Sequence, residues 1–273
     1  MSETVWLAPP FDRLWAGCDA HAAVEALQGE VFRELEARRT LRTEVEGRGY
    51  FVKIHRGVGW GEIVKNLVSL RAPVLGAGNE YRALRRLAEL GVASMTPVAF
   101  AERGVDPARQ HSFIITEELA NTVSLEDHCR DWPQNPPLPA WKRALIRRVA
   151  EMAGRMHRGG VNHRDFYICH FLLHLDPPPR PEDFRLSLID LHRAQTRAET
   201  PRRWRDKDLA GLYFSALEIG LTRRDVLRFL RAYFEQPLRA VLRDEAALLA
   251  RLEDEAQRLM ARYRRKYAPG ASA

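Results

Sequence analysis

The sequence predicts an α+β chain in two parts, an antiparallel sheet with accompanying helices followed by a mainly helical half. Three observations predict it. Apolar and polar residues alternate over 29–54 as they do in strands, and stripes at helical spacing dominate from Ser124 onward. No stretch between the two patterns is rich enough in Gly or Ser to act as a linker between autonomous domains. A chain of 273 residues with 45% hydrophobic and 29% charged residues can bury a substantial core.

In the first part, residues 31–39, 40–46 and 50–55 read as three antiparallel strands. Gly47, Arg48 and Gly49 give the clearest hairpin signal. Strand alternation puts Val52 and Ile54 on one face and Phe51 and Lys53 on the other. A strand lysine is ordinarily a solvated edge charge, so Lys53 gains meaning only from its surroundings. Residues 60–71 read as a short helix with Ile63, Leu67 and Leu70 on one side. A second helix, N-capped by Asn79, runs to Leu90 and stops at Gly91. Glu80, Leu84 and Leu87 are spaced i, i+4, i+7, which turns the glutamate toward the body of the protein. An acidic residue early in a helix also suits the dipole, which is the plainer explanation. Strands at 98–101 and 113–116 follow, and the periodicity ends across 117–121. Residues 1–120 therefore form a strand-rich part and 121–273 a helical one.

In the second part, 132–139 is a proline-rich surface loop. Trp141, Leu145, Val149, Met152 and Met156 then make one apolar stripe opposite Arg143, Arg147, Arg148 and Arg155, which is a core face. Residues 176–183 form an exposed turn between two short strands. Helices are expected over 207–221, 222–233 and 243–267, the last with Leu248, Leu252, Leu259 and Tyr263 on one side.

Gly159 and Gly160 break the helix of the apolar stripe, and His163, Arg164 and Asp165 follow at once. A strand over 186–189 then ends on Asp190. His-Arg-Asp by itself is weak, because three polar residues recur by chance. Its weight comes from Lys53, Glu80, Asp165 and Asp190 standing in the order that a bilobal, protein-kinase-like fold requires. The first two fall in the strand-rich N-lobe and the last two in the helical C-lobe. Phosphoryl transfer needs a lysine on the nucleotide phosphates, a glutamate to hold it, carboxylates for Mg2+, and an aspartate to orient the acceptor hydroxyl. The backbone of 117–121 would meet the adenine edge of ATP, with Glu117 and Leu119 as its candidate contacts.

Three departures from protein kinases stand out. Residues 34–39 lack the glycines of a phosphate-covering loop, so Arg38 and Arg39 are the candidate phosphate contacts there. His170 occupies the metal-ligand position five residues after Asp165, where an oxygen ligand would suit magnesium better. Asp190 opens Asp-Leu-His and not Asp-Phe-Gly. An active kinase and a degenerate scaffold both remain open on these residues, and retention of both aspartates favours the enzyme. Cys169, His170 and His174 match no standard zinc spacing.

The formal charge is +7 and the pI about 9.6, which favours acidic partners. Arg193, Arg197, Arg202, Arg203, Arg205 and Lys207 follow Asp190, where an activation segment would meet an acidic acceptor. No nucleic-acid-binding motif accompanies them. Cys18, Cys129 and Cys169 are widely spaced and odd in number, as expected of reduced thiols. No secretory signal and no spanning segment are visible.

Several longer stretches carry a resemblance: LQGEVFRELEARRTLR, NHRDFYICHFLLHL, IDLHRAQ and PRRWRDKDLAGLYFS. They resemble the lipopolysaccharide core heptose(I) kinases of Gram-negative bacteria, over about residues 14–259. His170 and Asp-Leu-His match that family's own pattern, which weakens the scaffold alternative. The resemblance implies transfer of the ATP γ-phosphate to O4 of the first inner-core heptose, with Asp165 as the catalytic aspartate. It implies a lipid A–core glycolipid acceptor at the cytosolic face of the inner membrane, reached peripherally, and acyl carrier protein as a partner. The membrane-facing candidates are 193–207, the basic C-terminal end, and Lys65 and Arg71.

Overall fold

A computed structural model describes residues 2–68 and 76–267. The chain divides into two compact units. One comprises Met1–Arg85, Met95–Ala120 and Leu191–Arg193, and the other Arg86–Ser94, Asn121–Asp190 and Ala194–Ala273.

The first unit is built on a six-stranded antiparallel sheet. Its elements are β1 (Glu3–Leu7), α1 (Phe11–Leu14), α2 (Ala20–Glu25), β2 (Glu30–Leu35), β3 (Arg38–Val45), β4 (Arg48–His55), α3 (Gly59–Val68), α4 (Gly78–Glu89, which runs on into the second unit), β5 (Pro97–Arg103) and β6 (His111–Glu117). The strand order is β1-β5-β6-β4-β3-β2. One face is sealed by α1 and α2: Phe11, Trp15 and Val24 pack with Leu41, Tyr50, Val52, Ile54, Phe113 and Ile115. Val52 and Ile54 thus point into this core, as their alternation with Lys53 predicts. Between β3 and β4, Glu46 and Gly47 both take positive φ, 51° and 75°, the geometry that matches a two-residue turn to strand twist.

Three boundaries differ from the expectation. The first hairpin turns at Glu36 and Ala37, so Arg38 and Arg39 open β3 and do not sit in a loop. The cross-strand pair Glu34–Arg39, 3.1 Å apart, fixes that register. α4 begins before Asn79: the Ala77 carbonyl accepts the Tyr81 N–H at 3.0 Å, and Asn79 accepts from Arg82 at 2.8 Å. The helix predicted over 60–71 is α3; Ile63 is buried as expected, while Leu70 and Arg71 lie outside the described residues. The edge strand β1 was not anticipated from the sequence.

The second unit contains β7 (Thr122–Ser124), α5 (Leu125–His128), α6 (Pro139–Arg158), β8 (Val161–Asn162), β9 (Phe171–His174), β10 (Leu186–Leu188), β11 (Gln195–Thr196), α7 (Arg202–Ser215), α8 (Arg223–Phe234), α9 (Leu238–Asp244) and α10 (Ala246–Tyr267). A small sheet runs β10-β9-β7, and β8 pairs with β11. α6 buries Leu145, Val149, Met152 and Met156, four members of the predicted stripe. It ends where Gly160 takes φ 83°. A Cβ at Gly160 would strike the Arg197 carbonyl oxygen. Gly160→Ala is therefore expected to cost about 2–4 kcal/mol in chemical denaturation.

Two helical expectations are corrected here. α7 starts at Arg202, immediately after Pro201 and ahead of the expected Lys207, so Arg202, Arg203 and Arg205 lie on the helix and not in a loop. Residues 238–267 form two helices that meet at Glu245, and α10 buries Leu248, Leu252, Ala256 and Met260. Spacing of four keeps those positions on one face, whereas Tyr263 is exposed.

Candidate active site

In the first unit, β4 and α4 bring Lys53 and Glu80 together. Lys53 Nζ lies 2.7 Å from Glu80 Oε1, and the glutamate side chain is 1% exposed. Leu84 and Leu87 are buried with Glu80, so one helix face holds all three. The start of α4 is pinned by the Ala77 N–H, which donates to Ser112 Oγ at 3.0 Å. Tyr81, next in α4, stacks on Phe100 with centroids 4.2 Å apart. A carboxylate this deeply buried is costly unless paired, so the ion pair fixes where Lys53 ends. The second oxygen, Oε2, is buried with no hydrogen-bond partner among the described residues. It leaves acceptor capacity beside the lysine.

Arg38 and Arg39 reach different surroundings. Arg39 is committed within the unit: Nε is 3.1 Å from Glu34 Oε2, and Nη1 donates to the Glu25 carbonyl at 3.2 Å. Arg38 pairs in register with His55, whose imidazole is pushed down to about 3, first by burial and then by the Arg38 charge. His55 is accordingly neutral. Glu117 ends β6, and its N–H donates to the Thr96 carbonyl at 2.9 Å. The next residue, Glu118, is clamped by Arg42 through two hydrogen bonds of 2.7 and 2.8 Å. Its N–H also donates to the Gly49 carbonyl at 2.9 Å, which ties the backbone leading to Leu119 onto β4.

In the second unit, the segment after β8 is held from beneath by Asp208 of α7. This residue is missing from the expectations above. Its Oδ2 accepts the His163 N–H at 2.6 Å, and Oδ1 accepts the Arg164 N–H at 2.8 Å. Oδ2 also faces His157 Nε2 at 3.2 Å. Because the carboxylate accepts from Nε2, His157 Nδ1 is left to accept from the Tyr233 hydroxyl, 2.8 Å away. A signal was present in the sequence, since Asp208 stands among leucines at 209 and 212 on an inward helix face. A buried carboxylate requires donors, and the nearest donors are those of the loop.

His163 is wholly buried. Its Nε2–H donates to the Ile189 carbonyl at 2.9 Å, joining the two aspartate-bearing segments. Burial holds its pKa below the ordinary histidine value, so the ring is neutral. Arg164 and Asp190 adopt positive φ, 75° and 62°, a strained conformation for side-chain-bearing residues. His170 packs on His163 at 5.5 Å and completes the arrangement. Its Nδ1–H donates to the Asp165 carbonyl at 2.7 Å, and its Nε2 stands 3.6 Å from Asp190 Oδ2. With Nδ1–H engaged by the Asp165 carbonyl, Nε2 is the His170 nitrogen that faces the Asp190 carboxylate. One ring nitrogen and one carboxylate make a leaner donor set than magnesium usually takes. Asp165 itself is half-buried at the head of the same turn.

Cys169 and His174 are used differently. Burial, with help from the Glu126 charge, pushes the Cys169 thiol up to about 11, and His174 Nε2 lies 2.9 Å from Ser187 Oγ. Among the described residues, no group of three His, Cys, Asp or Glu side chains is placed to hold a metal ion. Cations surround an indole of α7: Arg164, from the segment after β8, and Arg203 and Lys207 of α7 lie 5.5, 4.7 and 4.9 Å from the Trp204 ring centroid.

Comparison with known proteins gives a consistent result. The lipopolysaccharide kinase (Kdo/WaaP) family matches residues 22–233. The lipopolysaccharide core heptose(I) kinase WaaP of Pseudomonas aeruginosa is 68% identical over 259 residues, 95% of this chain and 97% of that relative. The WaaP of Escherichia coli is 55% identical over 262 residues, 96% of this chain and 99% of the relative. A solved structure described as WaaP in complex with acyl carrier protein superimposes with a TM-score of 0.84 at 64% identity, covering 94% of this chain and 99% of that one.

Proposed function

The chain belongs to the lipopolysaccharide kinase (Kdo/WaaP) family, and on that footing we propose that it phosphorylates O4 of the first heptose of the lipopolysaccharide inner core at the expense of ATP. The observation that carries this reading is the 2.7 Å pair between Lys53 and the buried Glu80. A carboxylate buried beside a lysine is the device that aims the ammonium at nucleotide phosphates. Glu80 orients Lys53, and Lys53 holds the phosphates. The backbone at Glu117 and Leu119 meets the adenine edge, and Arg38 and Arg39 at the start of β3 are the candidate phosphate contacts. Magnesium, held by Asp190 and His170, would supply charge neutralisation on the transferred group. Asp165 orients the sugar hydroxyl and takes its proton. The His170–Asp165 hydrogen bond and the Asp208 carboxylate keep that aspartate's backbone fixed.

The acceptor in this reading is the lipid A–core glycolipid at the cytosolic face of the inner membrane, approached peripherally. Among the described residues no helix is long and apolar enough to cross a membrane. Acyl carrier protein is the proposed protein partner, supported by its presence in the complex of the related structure.

The test is transfer of labelled γ-phosphate from ATP with magnesium to core lipopolysaccharide lacking heptose phosphate. Label on the first heptose is the expected result. A folded, nucleotide-bound protein that labels no acceptor, with acyl carrier protein supplied, would leave a binding scaffold in place of an enzyme. Glu80→Gln is expected to lower kcat/KM for ATP by about 10²-fold. Isothermal titration with an ATP analogue checks that the loss follows weakened phosphate contact.

A further inference from the structure

We infer that α3 is the element with which this protein touches the membrane, its Trp60, Val64 and Val68 entering the interfacial layer of an anionic bilayer. The inference rests on the reading above that the acceptor is lipid-linked. It specifies the contact that the reading requires.

α3 is fastened to its unit by Ile63, which is 5% exposed. Its outward side is unusual. Trp60, Val64 and Val68 are 57%, 53% and 79% exposed, and their spacing of four places them on one stripe along the helix. The outward face of a helix in water ordinarily carries charge, yet the sequence GWGEIVKNLV has one acid and one base in ten residues. Tryptophan combines a large apolar body with one N–H donor, which suits the level of lipid headgroups.

A second apolar element lies in the same unit. β2 stands at the sheet edge and leaves Val31, Phe32 and Leu35 exposed, with the exposed Arg33 among them. Exposed apolar side chains therefore stand on two elements of this unit, β2 and α3, in a chain of formal charge +7. A net positive charge draws the protein to an anionic leaflet, and an apolar stripe then adds short-range hold. Three inserted side chains give reversible attachment, as an enzyme that must release a membrane-bound product needs.

The second unit offers a useful contrast. A groove between α6 and α8 is lined by Arg143, Arg147, Arg155, Arg228 and Arg231, with two glutamates and only Ala232 as an apolar member. It can attract phosphate but has nothing to insert. Charge attraction and insertion are thus separable by mutation.

The experiment uses the full chain and vesicles of phosphatidylethanolamine and phosphatidylglycerol. Trp60→Ser, Val64→Ser and Val68→Ser combined should weaken co-sedimentation about tenfold or more, at low and at high salt alike. Arg147→Glu with Arg155→Glu should change only the salt-sensitive part. Lipids brominated on their acyl chains should quench wild-type fluorescence, and Trp60→Phe should remove that quenching while leaving binding. Transfer to a deacylated, water-soluble acceptor should match wild type in the serine variant, which also shows that it is folded. Unchanged vesicle affinity in that variant, or undiminished quenching in Trp60→Phe, overturns the inference. Vesicle binding through α3 by a protein that transfers phosphate to no acceptor would overturn the kinase reading and leave the membrane contact standing.

Discussion

Replacing Asp165 by alanine is expected to lower phosphate transfer by about 10³-fold or more while leaving the melting temperature within about 2 °C of wild type. The reason lies in the division of labour between the Asp165 main chain and its carboxylate. Its main-chain carbonyl accepts from His170, and that bond survives the substitution. The carboxylate is the part removed, and in the proposed reaction it alone takes the proton of the acceptor hydroxyl. Asp165→Asn, which keeps the shape and loses the basicity, should fall nearly as far. Single-turnover assays at saturating ATP make the comparison, and an ATP analogue should bind both variants as it binds wild type. Turnover equal to wild type in either variant would remove Asp165 from the chemistry.

The second large effect is expected at Asp208, and it is of a different kind. Asp208→Ala strands the His163 and Arg164 N–H donors, both bonded to this carboxylate at under 3 Å. It also releases His157 from its Nε2 acceptor. One buried and one half-buried donor left without this partner should cost about 3–5 kcal/mol in urea unfolding. Asp208→Asn retains one carbonyl oxygen and opposes an NH2 to the other donor, so its loss should be intermediate. Transfer should fall in both variants, in order of their loss of stability. A variant with full stability and no turnover would instead place Asp208 in the chemistry.

These two aspartates mark how far the sequence could be read. Asp165 was legible because it sits in a short local motif whose spacing to His170 and whose order with Asp190 can be counted along the chain. The Lys53–Glu80 pair was legible for a related reason. Strand alternation set Lys53 on the face away from Val52 and Ile54, helix spacing turned Glu80 toward the body of the protein, and the two together offered a strand–helix ion pair. Asp208 was not found because its role is set by tertiary contact with a loop some 45 residues earlier. Helix periodicity could show only that its neighbours face inward. The hairpin turn at Glu36 and Ala37 was misplaced by a similar limit. Nothing local in 34–39 favours one register until Glu34 and Arg39 are seen across from each other. On α3 the inward residue Ile63 was readable, whereas the apolar outward stripe carried no signal against a soluble helix until exposure was known.

The first strand carries a consequence for synthesis. Among the described residues β1 pairs with β5 alone, with Glu3 opposite Arg103 and Leu7 opposite Ala99. At about 5–20 residues per second, a nascent chain extends for several seconds between making the one strand and making the other. Through that interval Val5, Trp6 and Leu7 stand as an apolar segment with open backbone groups, which is what chaperones grip and what neighbouring chains pair with. Slowing the ribosome while the chain between β1 and β5 is being made should therefore lower the soluble yield, and slowing it once β5 and β6 have both left the exit tunnel should not.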